Sequence, residues 1–547
     1  MTRENWENLK ETLSPEKKYY IHAALFGISA GILSLVIPLS AQALINSVTF
    51  LIVKWPLGVL TVLLFCLLFF SGLFYILQQI VTEKFQQRFY TRISSSIGFK
   101  LNNIDTTQVK DKNIVELINR YFDVMTIQKS VVIILTQGFT LALQTISGLT
   151  LLAFYHPYFI VFDLMLIMLI VALIKFSLTP SVNSAINESK AKYATVKWFE
   201  EVARVPTFFS KQSSAIQCLN KTDDLISKYI QKREYHFRHL VWQKFYLIIS
   251  CALMASILMG LGGYLVMLGE LSLGQLVAAE LIATVILVGI SRSSKYLESF
   301  YDMIAAIEKI KELDQIPQKI ASVELIETEP FESLHLNNIV HKTNNNTFNF
   351  NFDFSAGQTY HILTKTLSGK QIFLDMLKGY LVPSRGNIII NKKGDRIIYD
   401  NYFKEKAYIY LEPIFIEGTI KENLAFGNDK IESKKLIEVL ELVDLKAIYE
   451  TFPKGLETEL SFSGYPLWRS QIARLEIART IVNDYDLFIF TDYFDSFSLE
   501  RRKRIINYLK SKNKTVIIIS THKADEYSDV VLELNENGLE NATGSRL

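Results

Sequence analysis

Apolar positions form long unbroken runs over roughly the first three hundred residues of the chain and only short ones after about residue 320. A helix needs about 20 apolar residues to cross the ~30 Å hydrocarbon core of a bilayer. Runs near that length occur at Ala23 to Leu44, Leu57 to Leu77, Val131 to Phe154, Phe159 to Ser177, Phe245 to Val266 and Leu276 to Ile290, which predicts six spans. The last run is the shortest, and its inner end is expected to continue as helix into the cytoplasm.

The links between the runs set the orientation. Spans one and two are joined by a short link carrying only Lys54, three and four by Tyr155-His156-Pro157, and five and six by a turn carrying Glu270. The links from about Thr82 to Lys129 and from Pro180 to Lys244 are long and rich in Lys and Arg, which places them in the cytoplasm. Their heptad-like apolar spacing predicts spanning helices that run well beyond the bilayer. The polar opening, residues 1–18, lacks the charged-then-apolar order of a cleavable signal peptide. Both termini are therefore expected in the cytoplasm, in a multi-pass protein of the plasma membrane, a bacterial inner membrane.

Composition agrees with this reading. Of 547 residues, 49% are hydrophobic and 21% charged, and the mean hydropathy of +0.20 is too high for an ordinary soluble enzyme. A net charge of +3 makes no case for a nucleic-acid partner. Cys66, Cys218 and Cys251 are too scattered for a metal site or a disulfide framework. No metal ligands are assigned.

Ionisable residues inside the spans are Asp163, Lys175 and Glu280. Each costs roughly 2.5 kcal/mol or more at mid-helix, so each is a functional candidate by default. Asp163 and Lys175 lie near opposite ends of span four, where reaching to the interface accounts for them. Glu280 sits deeper and is the candidate for lining a transport pathway, with an interhelical contact as the alternative.

The organisation expected is a polar segment 1–18, a six-span all-α domain 19–315 with long cytoplasmic extensions, a linker 316–330, and an α/β domain 331–547. In the last part, short strands at 359–363, 386–390, 486–490 and 515–520 alternate with helical stretches, predicting a largely parallel sheet. The first of these strands leads into TKTLSGKQ (364–371) and an apolar-periodic helix. A phosphate-binding loop has the form G-x-x-x-x-G-K-[ST] in that setting. Gly369 and Lys370 fit it, Thr364 stands for the first glycine, and Gln371 stands for the magnesium-binding hydroxyl.

Further on come LKGYLVPSRGNI (377–388), EGTIKENLAFG (417–427), GLETEL (455–460) and IARLEIART (472–480). In this order, after six spans, they resemble the nucleotide-binding domain of an ATP-binding cassette (ABC) exporter, with the chain as one half-transporter. The segment SLVIPLSAQALIN (34–46) is closest in character to bacterial exporters of peptides and toxins. The resemblance implies a six-helix membrane domain followed by a cytoplasmic P-loop-type cassette, ATP with Mg²⁺ as cofactor, and pairing of two halves as homodimer or heterodimer. It also implies a bilayer environment, periplasmic adaptor proteins as further partners, and coupling turns near Asp105 to Lys112 and Val205 to Gln212.

Carried over residue by residue, the resemblance assigns Lys370 to the phosphate-binding lysine and His522 to the switch histidine. The Asp-Glu pair that ends the apolar strand falls on Thr491 and Asp492. Thr491 lacks the metal-shell carboxylate, and Asp492 holds the base position with a carboxylate one methylene shorter. A shift of one residue would instead make Asp492 the metal-shell acid and put Tyr493 at the base position. The signature pentapeptide falls on Leu467, Trp468, Arg469, Ser470 and Gln471, where Trp468 and Arg469 fill positions that need small residues. The metal-sensing glutamine falls on Leu411 and the base-stacking aromatic near Thr343. These departures imply a cassette with little or no ATP hydrolysis. Three functions follow: a transporter subunit with a pseudo-ATPase cassette, an active exporter of peptide- or lipid-like substrates, or a membrane scaffold or regulator without transport.

Overall fold

The structure is a computed structural model that describes residues 3–33, 35–49, 54–105, 114–318, 329–342, 347–364, 367–391, 402–403, 406–410, 413–425, 428, 431–522, 526–535 and 538–541. The chain divides into two compact units, Met1–Lys319 and Ile320–Leu547.

The first unit is helical. Its principal helices are α1 (Arg3–Leu13), α2 (Lys17–Leu33), α3 (Val36–Thr49), α4 (Lys54–Asn102), α5 (Asp123–Ile133), α6 (Phe139–Tyr155), α7 (Pro157–Arg204), α8 (Gln212–Met267) and α9 (Leu273–Glu312). Among the described residues, six helical stretches are long and apolar enough to cross a membrane, by length and composition. With 48 residues in α7 and 56 in α8, and about 1.5 Å of rise per residue, each is more than twice as long as a bilayer core is thick. The helices therefore extend far past the apolar runs, as their heptad-like spacing predicts.

Two details differ from the sequence reading. The first apolar run is split between α2 and α3, and Pro38 lies in the first turn of α3. A missing N–H is tolerated there, whereas it would break a continuous helix. The third span contains a π-helical turn, Ile134–Gly138, between α5 and α6. The expected turn at Val205 to Gln212 falls between α7 and α8. The other expected turn begins at Asp105, three residues past the end of α4, and its remaining residues, 106–112, lie outside the described residues.

Local chemistry fixes the short turns. His156 is extended and caps α7, its Nδ1 accepting from the Tyr158 N–H at 3.3 Å, with Pro157 at the first helical position. Ser272 and Gln275 form a capping box at the start of α9. Gly269 supplies the positive φ of +73° in the turn before it. His156 Nε2 lies 3.0 Å from Glu270 Oε2, so the two turns are tied together.

Among the described residues the second unit has eleven strands: β1 (Ser333–Lys342), β2 (Thr347–Ser355), β3 (Thr359–Thr364), β4 (Arg385–Ile390), β5 (Ala407–Tyr410), β6 (Gly418–Thr419), β7 (Glu459–Leu460), β8 (Leu487–Phe490), β9 (Thr515–Ser520), β10 (Val530–Asn535) and β11 (Gly538–Asn541). Nine of them form one sheet in the order β4-β1-β2-β11-β10-β3-β9-β8-β5. From β10 to β5 every neighbouring pair is parallel. All residues of β8 and β9 are buried, as strands covered on both faces require. The expectation of a largely parallel sheet holds for this block but not for the strand at 386–390, which lies in β4 and pairs antiparallel with β1. The principal helices of this unit are α10 (Leu367–Leu377), α11 (Ile420–Ala425), α12 (Arg469–Val482) and α13 (Leu499–Ser511).

Candidate nucleotide site

In a parallel sheet, ligands gather at the carboxyl ends of the strands. Here β3, β9 and β8 are adjacent and in register, and their carboxyl ends lead to Lys370, His522 and Asp492 respectively. The sheet thus brings three residues from distant parts of the sequence to one edge.

Thr364 ends β3 as a regular strand residue, buried, with its Oγ1 lacking a hydrogen-bond partner. Extended backbone suits a β-branched residue, so the special angle for which a glycine is used is not called on there. Helix α10 begins at Leu367, which puts Gly369 and Lys370 inside its first turn rather than in a long loop. This corrects the reading of 364–371 as a loop; 365 and 366 lie outside the described residues.

The Lys370 side chain is 10% exposed, and its Nζ pairs with Asp492 Oδ2; that carboxylate is 45% exposed. Gln371 donates from Nε2 to Asp375 Oδ1 at 3.0 Å. Thr491 is buried, and its hydroxyl donates to the Tyr410 carbonyl oxygen at 2.9 Å, joining the ends of β8 and β5. His522 is exposed, with Nδ1 3.3 Å from Asp495 Oδ2, and its backbone N–H donates to Ser520 Oγ at 2.9 Å. Asp495 also accepts from the Ser520 hydroxyl. Among the described residues no three His, Cys, Asp or Glu side chains are grouped to hold a metal ion. Thr343 and Leu411 lie outside the described residues.

The segment Leu467 to Gln471 opens α12. Leu467 is buried in the apolar core, whereas Trp468 is 76% exposed and Arg469 and Ser470 are exposed. Gln471 accepts the Trp468 N–H at 2.8 Å, so its carbonyl oxygen serves as a helix cap. In the membrane unit Glu280 is exposed on α9. Asp163 is buried, and its Oδ1 lacks a hydrogen-bond partner.

Three acids were not singled out in the sequence: Asp375, Asp495 and Glu476. Glu476 sits inside the apolar-periodic helix α12, yet it accepts from the Ile414 N–H at 2.8 Å and from the Tyr408 hydroxyl. Arg479, one turn on, donates to the Ile414 carbonyl at 3.1 Å. Burial raises the Glu476 pKa above the ordinary carboxylate value, and the bonds from Tyr408 and Ile414 oppose that shift. A lone acid among apolar helix positions was the only sequence signal for it.

No family model matches this chain. It is 24% identical over 267 residues to the leukotoxin export ATP-binding protein LtxB of Aggregatibacter actinomycetemcomitans, and 23% identical over the same length to the alpha-hemolysin translocation ATP-binding protein HlyB of Escherichia coli O157:H7. Each match covers 48% of this chain and 38% of the relative, so the chain spans well under half the length of these two curated proteins. A putative export ATP-binding/permease protein of Rickettsia bellii is 22% identical over 299 residues, 52% of this chain and 51% of that protein. A solved structure of a bacterial Atm1-family ABC exporter with ATP bound superimposes with a TM-score of 0.80 at 15% identity, covering 96% of this chain and 94% of that one. With six apolar helices followed by a mixed-sheet domain, this chain has the architecture of an ABC exporter half-transporter.

Proposed function

We propose that the chain is one half of a membrane exporter and that its cassette does not turn over ATP. The observation that carries this reading is the pairing of Lys370 with Asp492. In phosphoryl transfer a lysine neutralises phosphate charge and an acid or amide orients the attacking water, with Mg²⁺ bridging the phosphates. Here the ammonium and the carboxylate neutralise each other. Gln371 and the Thr491 hydroxyl are likewise engaged within the chain, and among the described residues no three His, Cys, Asp or Glu side chains are grouped to hold a metal ion. The residues therefore do not fit Mg²⁺-ATP, and no catalytic step is derived through it. A second half-transporter, a copy or a different chain, would supply the driving reaction across the dimer, and an adaptor outside the membrane would complete an export path. The chain would be multi-pass in a bacterial inner membrane, with both termini cytoplasmic.

The test is hydrolysis by purified full-length chain in lipid, compared with a Lys370→Ala control. The expected result is equal, background-level rates. One observation favours an active exporter instead: His522 stays exposed beside Asp495. Turnover of ~1 s⁻¹ or faster that Lys370→Ala abolishes would establish that reading.

A further inference from the structure

Helices α1 and α2 meet at a 3₁₀ turn, Ser14–Glu16, that is tied to the long helices α4 and α9. Arg92 of α4 donates to the Thr12 carbonyl oxygen at 2.7 Å and to the two carboxylate oxygens of buried Glu16 at 2.7 and 2.9 Å. Glu11 pairs with Lys311 of α9 at 2.6 Å, and the Trp6 ring lies 6.5 Å from that of Phe300. The corner is held in place by the chain itself, so a ligand there would pay little ordering cost.

An open groove of about 560 Å³ lies at this corner. Trp6, Leu9, Leu13 and Tyr20 form its apolar wall, and Lys10 and Lys17 stand exposed at its edge. The acid that lines it, Glu7, is taken by Arg3 at 2.9 Å, as Glu11 is by Lys311 and Glu16 by Arg92. Among the described residues neither Lys10 nor Lys17 is paired with a carboxylate, so the groove carries uncompensated positive charge. Its place along the chain is the second observation. Lys17 comes six residues before Ala23, where the first apolar run begins, which is about 9 Å of helix rise. Lys17, Ile21 and Leu25 share one face of α2, and all three are exposed. The groove therefore opens where hydrocarbon gives way to water and leads onto an exposed apolar face.

These features select the occupant. A soluble anion would meet the lysines and leave the apolar wall in water, and a neutral lipid would cover the wall and leave the lysines unmatched. A second copy laid against the same face would set lysine against lysine. An anionic lipid answers both the charge and the wall. We propose that the corner between α1 and α2 holds one anionic phospholipid, of the phosphatidylglycerol type, with its phosphate on Lys10 and Lys17 and an acyl chain along Trp6, Leu13 and Tyr20 towards Ile21 and Leu25. The site is independent of whether the cassette hydrolyses ATP.

The test uses full-length chain in a neutral detergent, titrated with dioleoylphosphatidylglycerol or dioleoylphosphatidylcholine and read by native mass spectrometry. The expected result is one phosphatidylglycerol retained per chain at concentrations where phosphatidylcholine is not. Replacing both lysines, Lys10→Gln with Lys17→Gln, should weaken phosphatidylglycerol retention about thirtyfold, the worth of two lysines at a membrane surface, and leave phosphatidylcholine unchanged. Both positions are exposed, and the charge-keeping pair Lys10→Arg with Lys17→Arg should retain the lipid as wild type does, which separates charge from folding. Equal retention of the two lipids by wild type would overturn the proposal, as would equal retention of phosphatidylglycerol by wild type and the Gln pair, or failure of the Arg pair to retain it. Displacement of the lipid by an equal concentration of sn-glycerol 3-phosphate would show a site for a soluble anion, and a disulfide between two Trp6→Cys copies would show that a second copy covers the groove; either outcome overturns the proposal.

Discussion

The Lys370 ammonium is paired with the Asp492 carboxylate, two residues 122 positions apart that the adjacent strands β3, β9 and β8 bring to one sheet edge. The lysine is nearly enclosed and the acid is half open to solvent, so the acid is the partner that can be changed most cheaply.

Asp492→Asn should release Lys370 for anions. Nucleotide affinity is expected to rise about tenfold, measured by titration with a fluorescent ATP analogue. Stability should fall by about 1–2 kcal/mol, less than for a fully buried pair because the carboxylate is partly hydrated. Unchanged affinity would show that Lys370 was not the limiting group.

Restoring the metal shell at Thr491 should be costly. Thr491→Asp sets a buried carboxylate against the Tyr410 carbonyl oxygen, which now accepts from the Thr491 hydroxyl. Without Mg²⁺ the loss is expected to be about 2–3 kcal/mol. Gln371→Ser, at an exposed position, should cost under about 0.5 kcal/mol. Thermal unfolding with and without Mg²⁺ checks both. Hydrolysis is not expected from the double variant, since Trp468 and Arg469 remain in place.

Glu476→Ala would strip the Ile414 N–H and the Tyr408 hydroxyl of their acceptor in a buried setting. The expected loss is about 2–4 kcal/mol. Glu476→Gln keeps one acceptor and should lose less than half as much. Chemical denaturation of the full chain distinguishes the two, and equal losses would exclude the hydrogen bonds as the cause.

Asp444 gives a pH dependence. Burial alone would raise its pKa, but hydrogen bonds from Arg501, at 2.8 Å, and Arg504 hold it below the usual carboxylate value of 3.8. A depressed folded-state value means stability that is present above the unfolded pKa and lost as pH falls through the folded one. Asp444→Asn should therefore cost about 0.5–1 kcal/mol at pH 7, a small figure because the carboxylate is 40% exposed. The difference from wild type should vanish in strong acid and shrink at high salt.

The six spans were legible because membrane crossing demands one property, sustained apolarity, over a known length. The split at Pro38 was not, since apolarity continues through it while the hydrogen-bond ladder does not. The parallel strands were legible from runs such as TVIIIS (515–520), with four consecutive β-branched apolar residues at its centre, but the antiparallel placement of β4 depends on pairing with β1, about fifty residues earlier. At the site, Lys370 and His522 could be found from local motif context. The partner that each residue takes could not: Asp492 and Asp495 are one helical turn apart, and only the sheet register gives the first to Lys370 and the second to His522.

The imidazole of His156 makes two contacts at once, accepting the Tyr158 N–H at Nδ1 and meeting Glu270 at Nε2. Accepting at Nδ1 requires that nitrogen to be bare, so the single ring proton resides on Nε2 and points at the carboxylate. One ring thus serves both turns, and His156→Phe would remove the cap of α7 and the tie to Glu270 in a single change.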